Sequence, residues 1–248
     1  MEPGITLEIC VDSLGLAQAA ARGGADRIEL CGPLEGGGIT PSAGLAAAVR
    51  VAIALPISML VRPRTGAFTA SEAEFEVMRQ DVLFAREIGM DSVVLGLLHE
   101  DHTVDVERTC ALVELARPMQ VTFHRAFDET PDLYQALNDV IQTGAARILT
   151  SGARSRAIEG APIVAGLRQA ACQRIGLLLC GGISRGTVRR SLEISGVREV
   201  HAALRSHVFI EASTGTISQE SLRTFSHAVS EVKQEICQTQ NTSQLTFS

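Results

Sequence analysis

The sequence of 248 residues predicts an α/β protein, a single-domain (β/α)8 TIM barrel. Three observations carry this prediction. Short β-branched or leucine-rich runs alternate strictly with alanine-rich helical patterns, the unit recurs eight times, and no internal stretch rich in Pro, Ser or charge parts the chain into two bodies.

Taken in order, the first strand falls at Thr6–Val11 and its helix at Leu14–Arg22, stopped by Gly23. The strand Arg27–Cys31 precedes a glycine-rich loop and a helix at Ala43–Ala52, and Ile57–Arg62 precedes Ser71–Glu87, with Gly89 behind it. Ser92–Leu97 leads to Val106–Ala116, Gln120–His124 to Leu133–Gln142 with Gly144 after it, and Arg147–Thr150 to Arg156–Gln173. The last strands are Gly176–Cys180 and Arg198–Ala202, with helices at Arg185–Glu193 and Gln219–Cys237. Such alternation makes the strands parallel with right-handed crossovers. The absence of an antiparallel hairpin favours closure over the alternative, a doubly wound open sheet. The barrel takes residues 1–238, and the polar stretch Thr239–Ser248, which repeats nothing, is expected to fray.

With 46% hydrophobic residues, only 4% aromatics and no Trp, the core must be packed by Ala, Leu, Ile and Val. A net charge of −6 and an isoelectric point near 5.6 exclude broad nucleic-acid contact, which requires a clustered basic surface. The start of the chain has no basic segment leading into an apolar run, and Val51–Val61, broken by Pro56, is too short to span a bilayer. The expectation is a soluble cytoplasmic protein without a membrane partner. Cys10, Cys31, Cys110, Cys172, Cys180 and Cys237 form no CxxC pair and read first as reduced, small apolar residues.

Strand side chains alternate between the helix layer and the barrel interior. With Leu7, Ile9, Ile28 and Leu30 facing the helices, Thr6, Glu8 and Cys10 point inward from the first strand, and Arg27, Glu29 and Cys31 from the second. An unpaired carboxylate against the apolar helix layer would cost several kcal/mol, at roughly that order, so the wetter interior is preferred. The same parity sends Ser58, Leu60, Arg62, Thr122, His124, Glu199 and His201 inward. Ionisable groups therefore gather toward the face that carries barrel active sites, either as a functional set or as a salt-bridged plug.

Several constellations at that face carry chemistry. Glu8-Ile9-Cys10 and Glu29-Leu30-Cys31 sit about one βα unit apart on neighbouring strands, roughly 4.8 Å from each other. Two thiolates there suit a soft ion, above all Cu(I); the alternative is a pair of unreacted core thiols. Arg62-Pro63-Arg64 brings two cations suited to a carboxylate or phosphate, or to ion pairs with Glu8 and Glu29. In Phe123–Asp128, His124 is placed to shuttle a proton or ligate a metal, and Asp128 to orient Arg125 or His124. Thr150-Ser151-Gly152 and Cys180-Gly181-Gly182-Ile183-Ser184 complete the rim, the second opening a helix whose N–H groups would cradle an anion; short glycine loops are also ordinary turns.

The sequence resembles the CutC family over roughly Ile5 to Ser206. The resemblance rests on LEIC at Leu7–Cys10, GADRIELC at Gly24–Cys31, ITPS at Ile39–Ser42, RPR at Arg62–Arg64, VTFHRAFD at Val121–Asp128 and RILTSG at Arg147–Gly152. It implies a (β/α)8 barrel with a cytosolic role in copper homeostasis, Cys10 and Cys31 as Cu(I) thiols, and Glu8, Glu29, Arg62 and His124 as a polar cavity. Two departures stand out. Thr65, Gly66 and Ala67 follow RPR where relatives carry Gly, Gly and Asp, and Glu35 falls one place before the family's loop glutamate.

Two classes of function follow. In one, the paired thiols bind Cu(I) and buffer or transfer it. In the other, a barrel enzyme acts on a small anionic or phosphorylated metabolite. Glu8, Glu29 and His124 then move protons, Arg62 and the glycine loop hold the anion, and Arg64, Arg125, Ser151 and His201 stand by. The alanine-rich helices also permit packing between subunits as a homo-oligomer.

Overall fold

The structure, a computed structural model, describes residues 4–204 and 218–245. Among them the strands are β1 (Thr6–Val11), β2 (Arg27–Leu30), β3 (Ile57–Leu60), β4 (Ser92–Leu95), β5 (Gln120–Phe123), β6 (Arg147–Thr150), β7 (Gly176–Leu179) and β8 (Glu199–Ala202). They pair in chain order, all parallel, and β8 returns to β1 to close the barrel. The helices are α1 (Leu14–Arg22), α2 (Ala43–Ala52), α3 (Glu72–Glu87), α4 (Val106–Ala116), α5 (Leu133–Gln142), α6 (Ala157–Ala171), α7 (Arg185–Ser195) and α8 (Gln219–Leu245). None among the described residues is long and apolar enough to cross a membrane. The chain is thus a closed TIM barrel.

Local sequence starts the helices where a side-chain oxygen meets the first free N–H groups. Ser13 accepts from Leu16, Ser42 from Leu45, Asp105 from Arg108 and Asp132 from Tyr134 and Gln135; Ser71 and Glu74 form a reciprocal capping box. The helices cover the barrel with a continuous apolar layer. Leu7, Ile9, Val11, Ile28, Leu30, Ile57, Met59, Val93, Val121, Phe123, Ile148 and Val200 all pack outward into it, fully or almost fully buried. The opposite strand face carries two smaller interior patches, Cys10, Cys31, Leu60 and Val94 on one side and Leu149, Leu178 and Cys180 on the other.

Several strands leave the ladder one or two residues before the sequence predicts. Cys31, His124 and Cys180 each keep one hydrogen bond to the preceding strand, to Val11, Leu95 and Thr150, before the chain turns into the loops. These edge residues therefore stand at the mouth. At the other end of the chain, α8 does not stop at Cys237 but runs through the stretch expected to fray. Thr239 is buried and donates to the Glu235 carbonyl at 2.8 Å, while Arg189 of α7 holds the Glu235 carboxylate at 2.5 Å. Residues 246–248 of that stretch lie outside the described residues.

Stagger matters more for the site than strand count does. β2 is displaced along β1 so that Glu8 aligns with Arg27 and Cys10 with Glu29, which leaves Cys31 one pleat nearer the mouth than Cys10. On the far side, α6 lies hard against the β6 loop. A β-carbon on Gly160 would stand 1.7 Å from the Ser151 carbonyl oxygen, so only glycine lets the helix approach this closely. Gly160→Ala is expected to lower stability by about 1–3 kcal/mol or more, measured as a shift of the urea midpoint at constant slope.

Candidate functional site

The interior is built in two storeys. The lower one is an ionic plug. Arg27 sends Nε to Glu8 Oε2 at 2.5 Å and a terminal nitrogen to Glu199 Oε2 at 2.6 Å; Arg147 approaches the same Glu199 oxygen at 3.3 Å and also bonds Gln120 and Thr122. Ser58 and Ser92 join across β3 and β4 at 2.6 Å. Arg27, not Arg62, is thus the cation that pairs with Glu8. The ion pairs of Arg62 with Glu8 and Glu29 contemplated from sequence do not form among the described residues, because Arg62 sits too near the mouth.

Above the plug lies a cavity of about 710 Å³, open at the C-terminal ends of the strands. Its floor holds Cys10, Glu29 and His201, whose ligand atoms lie within 4.8 Å of one another. Cys10 Sγ is 3.7 Å from Cys31 Sγ and donates to Glu29 Oε1 at 3.4 Å, while Cys31 donates to the Val11 carbonyl at 3.5 Å. Both thiols are buried. The Cys31 contact, burial and the Glu29 carboxylate together push the Cys10 thiol well above its usual range. Glu29 Oε2 is buried and has no hydrogen-bond partner, with His201 Nδ1 3.9 Å away.

The two buried carboxylates behave oppositely. Burial raises Glu8, but His201 Nδ1 at 2.8 Å and the Arg27 charge outweigh it and hold the carboxyl at about 2. Burial also dominates at Glu29, and with His201 Nδ1 as far as 3.9 Å its carboxyl is pushed up. The two histidines diverge as well. Burial lowers both, yet at His201 the Glu29 charge and the Glu8 bond reverse the effect, so its pKa rises. At His124 burial and the neighbouring Arg62 cation act together and bring it to about 3.

His124 forms one wall with Arg62 and Phe68. Its Nδ1 accepts from the Ala126 N–H at 3.3 Å, starting the short 3-10 turn Arg125–Glu129, which leaves the ring proton on Nε2. A β-carbon on Gly96 would come within 2.6 Å of Nδ1, so the neighbouring strand end must be glycine for the ring to fit. Phe68 packs 4.7 Å from the His124 ring, and the Arg62 guanidinium lies 4.7 Å over Phe68. Arg62 gives its terminal nitrogens to the carbonyls of Gly36 (2.9 Å), Gly38 (3.1 Å) and Gly66 (2.7 Å), clamping two loops together.

Not every residue singled out from sequence reaches the cavity. Cys10, Glu29, Arg62, His124, Asp128, Arg125 and His201 line it; Cys31 lies beside Cys10 but does not reach the cavity, its thiol turned to the Val11 carbonyl, and Glu8 belongs to the plug beneath. Asp128 accepts from Thr150, from the backbone and hydroxyl of Ser151, from the Ala153 N–H and from Arg125, and thereby ties the β5 loop to the β6 loop. Ser151 is fully buried in that tie. Arg64 turns outward, where it pairs with Glu74 and holds the Ala67 and Thr69 carbonyls. Gly181 and Gly182 do not line the cavity. Their carbonyls accept from the Ala157 N–H at the start of α6 and from Thr187 in the first turn of α7. Sequence reasoning missed Phe68, Glu129 and Arg154 in the walls. Glu129 directly follows the VTFHRAFD stretch and was within reach; Phe68, in a loop without periodicity, gave no signal.

Fold and cavity define a TIM barrel with a buried thiol–carboxylate–imidazole cluster on the floor of a cavity open at the C-terminal ends of its strands. The CutC family model matches residues 5–206, and the chain belongs to the CutC family. It is similar to the copper homeostasis protein cutC homolog of Homo sapiens, 44% identical over 203 residues, covering 82% of this chain and 74% of that one. A CutC family protein of Chromobacterium violaceum is 46% identical over 202 residues, 82% of each chain. The crystal structure of the copper homeostasis protein CutC from Streptococcus agalactiae superposes with a TM-score of 0.76 at 28% identity, covering 79% of this chain and 97% of that one.

The depressed His124 has a pH consequence. Because its folded value, about 3, lies below its ordinary 6.5, its stabilising contribution is complete above pH 6.5 and is lost as pH falls toward about 3. NMR titration should find the His124 ring neutral down to about pH 4, and His124→Asn should lose less stability than the parent over that window.

Proposed function

We propose that the chain binds one Cu(I) ion between Cys10 and Cys31 and so buffers or transfers copper in the cytoplasm. The carrying observation is the 3.7 Å separation of the two sulfurs. Metal–thiolate bonds are about 2.3 Å long, so sulfurs at that separation can share an ion in a bent arrangement. His201 and Glu29 stand close enough to Cys10 to offer a third ligand, and a thiolate-rich set with imidazole suits a soft monovalent ion. The copper homeostasis names of the relatives support the same reading. Six unpaired cysteines suit a reducing compartment.

Both thiols must lose protons as the ion enters. In competition with a Cu(I) chelator, one equivalent should bind tightly, and Cys10→Ser and Cys31→Ser should each abolish it. Its affinity should rise about tenfold per pH unit for each proton released. Equal affinity in the parent and both variants would remove the proposal.

A second reading, an enzyme acting on a small anionic metabolite, is favoured by one observation the first does not use. A cavity of about 710 Å³ is far larger than an ion needs, and an unpartnered Glu29 oxygen faces a histidine of opposite tendency at its floor. Incubation of the purified protein with a metabolite extract should then consume a component. Glu29→Gln should slow that consumption by about 100-fold or more, as expected for loss of a proton-transfer group.

A further inference from the structure

Among the described residues two arginines are buried, and their situations differ. Arg27 is held by two carboxylates. Arg62, only 8% exposed, makes no salt bridge among the described residues, although the Glu129 carboxylate acts on it from a distance. Its partners are the carbonyls of Gly36, Gly38 and Gly66, which satisfy donors but bring no negative charge, and its Nε is buried without any partner. A buried cation without a bonded counter-ion is costly, and such a group in a cleft marks a candidate ligand site.

The surroundings indicate what arrives. Phe68 lies under the guanidinium, and Leu60, Val94, Leu149 and Ala203 line the same cavity. His124 adds a neutral ring with its proton on Nε2. Arg125 is already engaged by Asp128, and at the wall Arg154 and Glu129 contribute opposite charges. The cavity thus offers, beside Phe68, one cation without a bonded counter-ion and an apolar stretch formed by Leu60, Val94, Leu149 and Ala203.

We propose that Arg62, with Phe68 and His124, forms a subsite for the carboxylate of a small, otherwise apolar organic acid. One cation with two N–H groups left over, on Nε and on one terminal nitrogen, matches a singly charged carboxylate better than a phosphate dianion, which presents more charge and more acceptors than this wall answers. The glycine loop after β7, a frequent phosphate seat in barrels, is engaged with α6 and α7 and does not line the cavity. The assignment gives the enzyme reading its substrate class. It rests on that reading for turnover, not for binding.

The test uses the full chain, metal-free, titrated with hexanoate and with benzoate by calorimetry, and with hexan-1-ol and inorganic phosphate as the contrasting probes. Saturable binding of a carboxylate at one site per chain is expected, with neither hexan-1-ol nor phosphate replacing it. Arg62→Gln should weaken it about 10- to 100-fold, the worth of a charge-assisted hydrogen bond; Arg62→Lys should retain part of it, and Arg64→Gln, outside the cavity, all of it. Because Arg62 also clamps two loops, the parent protein supplies an independent readout: benzoate should shift the ring resonances of His124 and leave those of exposed His227 unmoved. No saturable carboxylate binding, phosphate binding in its place, or unchanged affinity in a folded Arg62→Gln variant overturns the subsite. Carboxylate binding without turnover of any metabolite leaves the subsite standing and removes the enzyme reading. Turnover of an uncharged metabolite without hexanoate or benzoate binding does the reverse.

Discussion

A single buried carboxylate, Glu8, joins the two halves of the interior. One oxygen meets Arg27 at 2.5 Å in the plug below and the other meets His201 at 2.8 Å in the cavity floor above. A carboxylate this deeply buried persists in charged form only when both its oxygens are answered by strong donors. Here the answers come from different storeys, so the ionic seal of the barrel and the charge of the floor cannot be changed independently. Glu8 orients the His201 ring and, with Glu29 at 3.9 Å, raises its pKa.

From this arrangement the cavity acquires two unlike ends. At the floor, the Cys10 thiol, a carboxylate oxygen without a hydrogen bond and a histidine whose pKa is raised gather within a few ångströms, with Cys31 beside Cys10. At the wall, a histidine held neutral, an aromatic ring and an unpaired guanidinium lie together. The histidines separate because of their neighbours: two carboxylates beside one, an arginine beside the other. A soft cation and an organic anion therefore find complementary partners at different ends of one space. The paired thiols suit the first, and the cavity volume leaves room for something larger than an ion.

Packing around this space leaves little freedom. Gly160 admits α6 onto the β6 loop, and Gly96 admits His124 beside β4. Asp128, named from sequence as an orienting acid, fastens the loops after β5 and β6 through five donors, so the wall behind Arg125 is rigid. After RPR the backbone supplies the acceptors: Gly66 gives a carbonyl to Arg62 and Ala67 one to Arg64.

The amino-acid sequence by itself determined the eight βα units, their closure and the inward set Glu8, Cys10, Glu29, Cys31, Arg62, His124 and His201. It could do so because strand periodicity is exact and a charge cannot face an apolar helix layer. Only the tertiary structure decided which of these meet. The stagger that sets Cys10 beside Glu29, the preference of Arg27 for Glu8, the outward turn of Arg64 and the arrival of Phe68 over His124 depend on offsets between strands and on loop paths, which are long-range distances that no local pattern of residues encodes. For the same reason the continuation of α8 past Cys237 was illegible: Arg189 of α7 holds Glu235 and Gln238 on either side of that point, a contact between separate elements, against the polar composition of the segment itself.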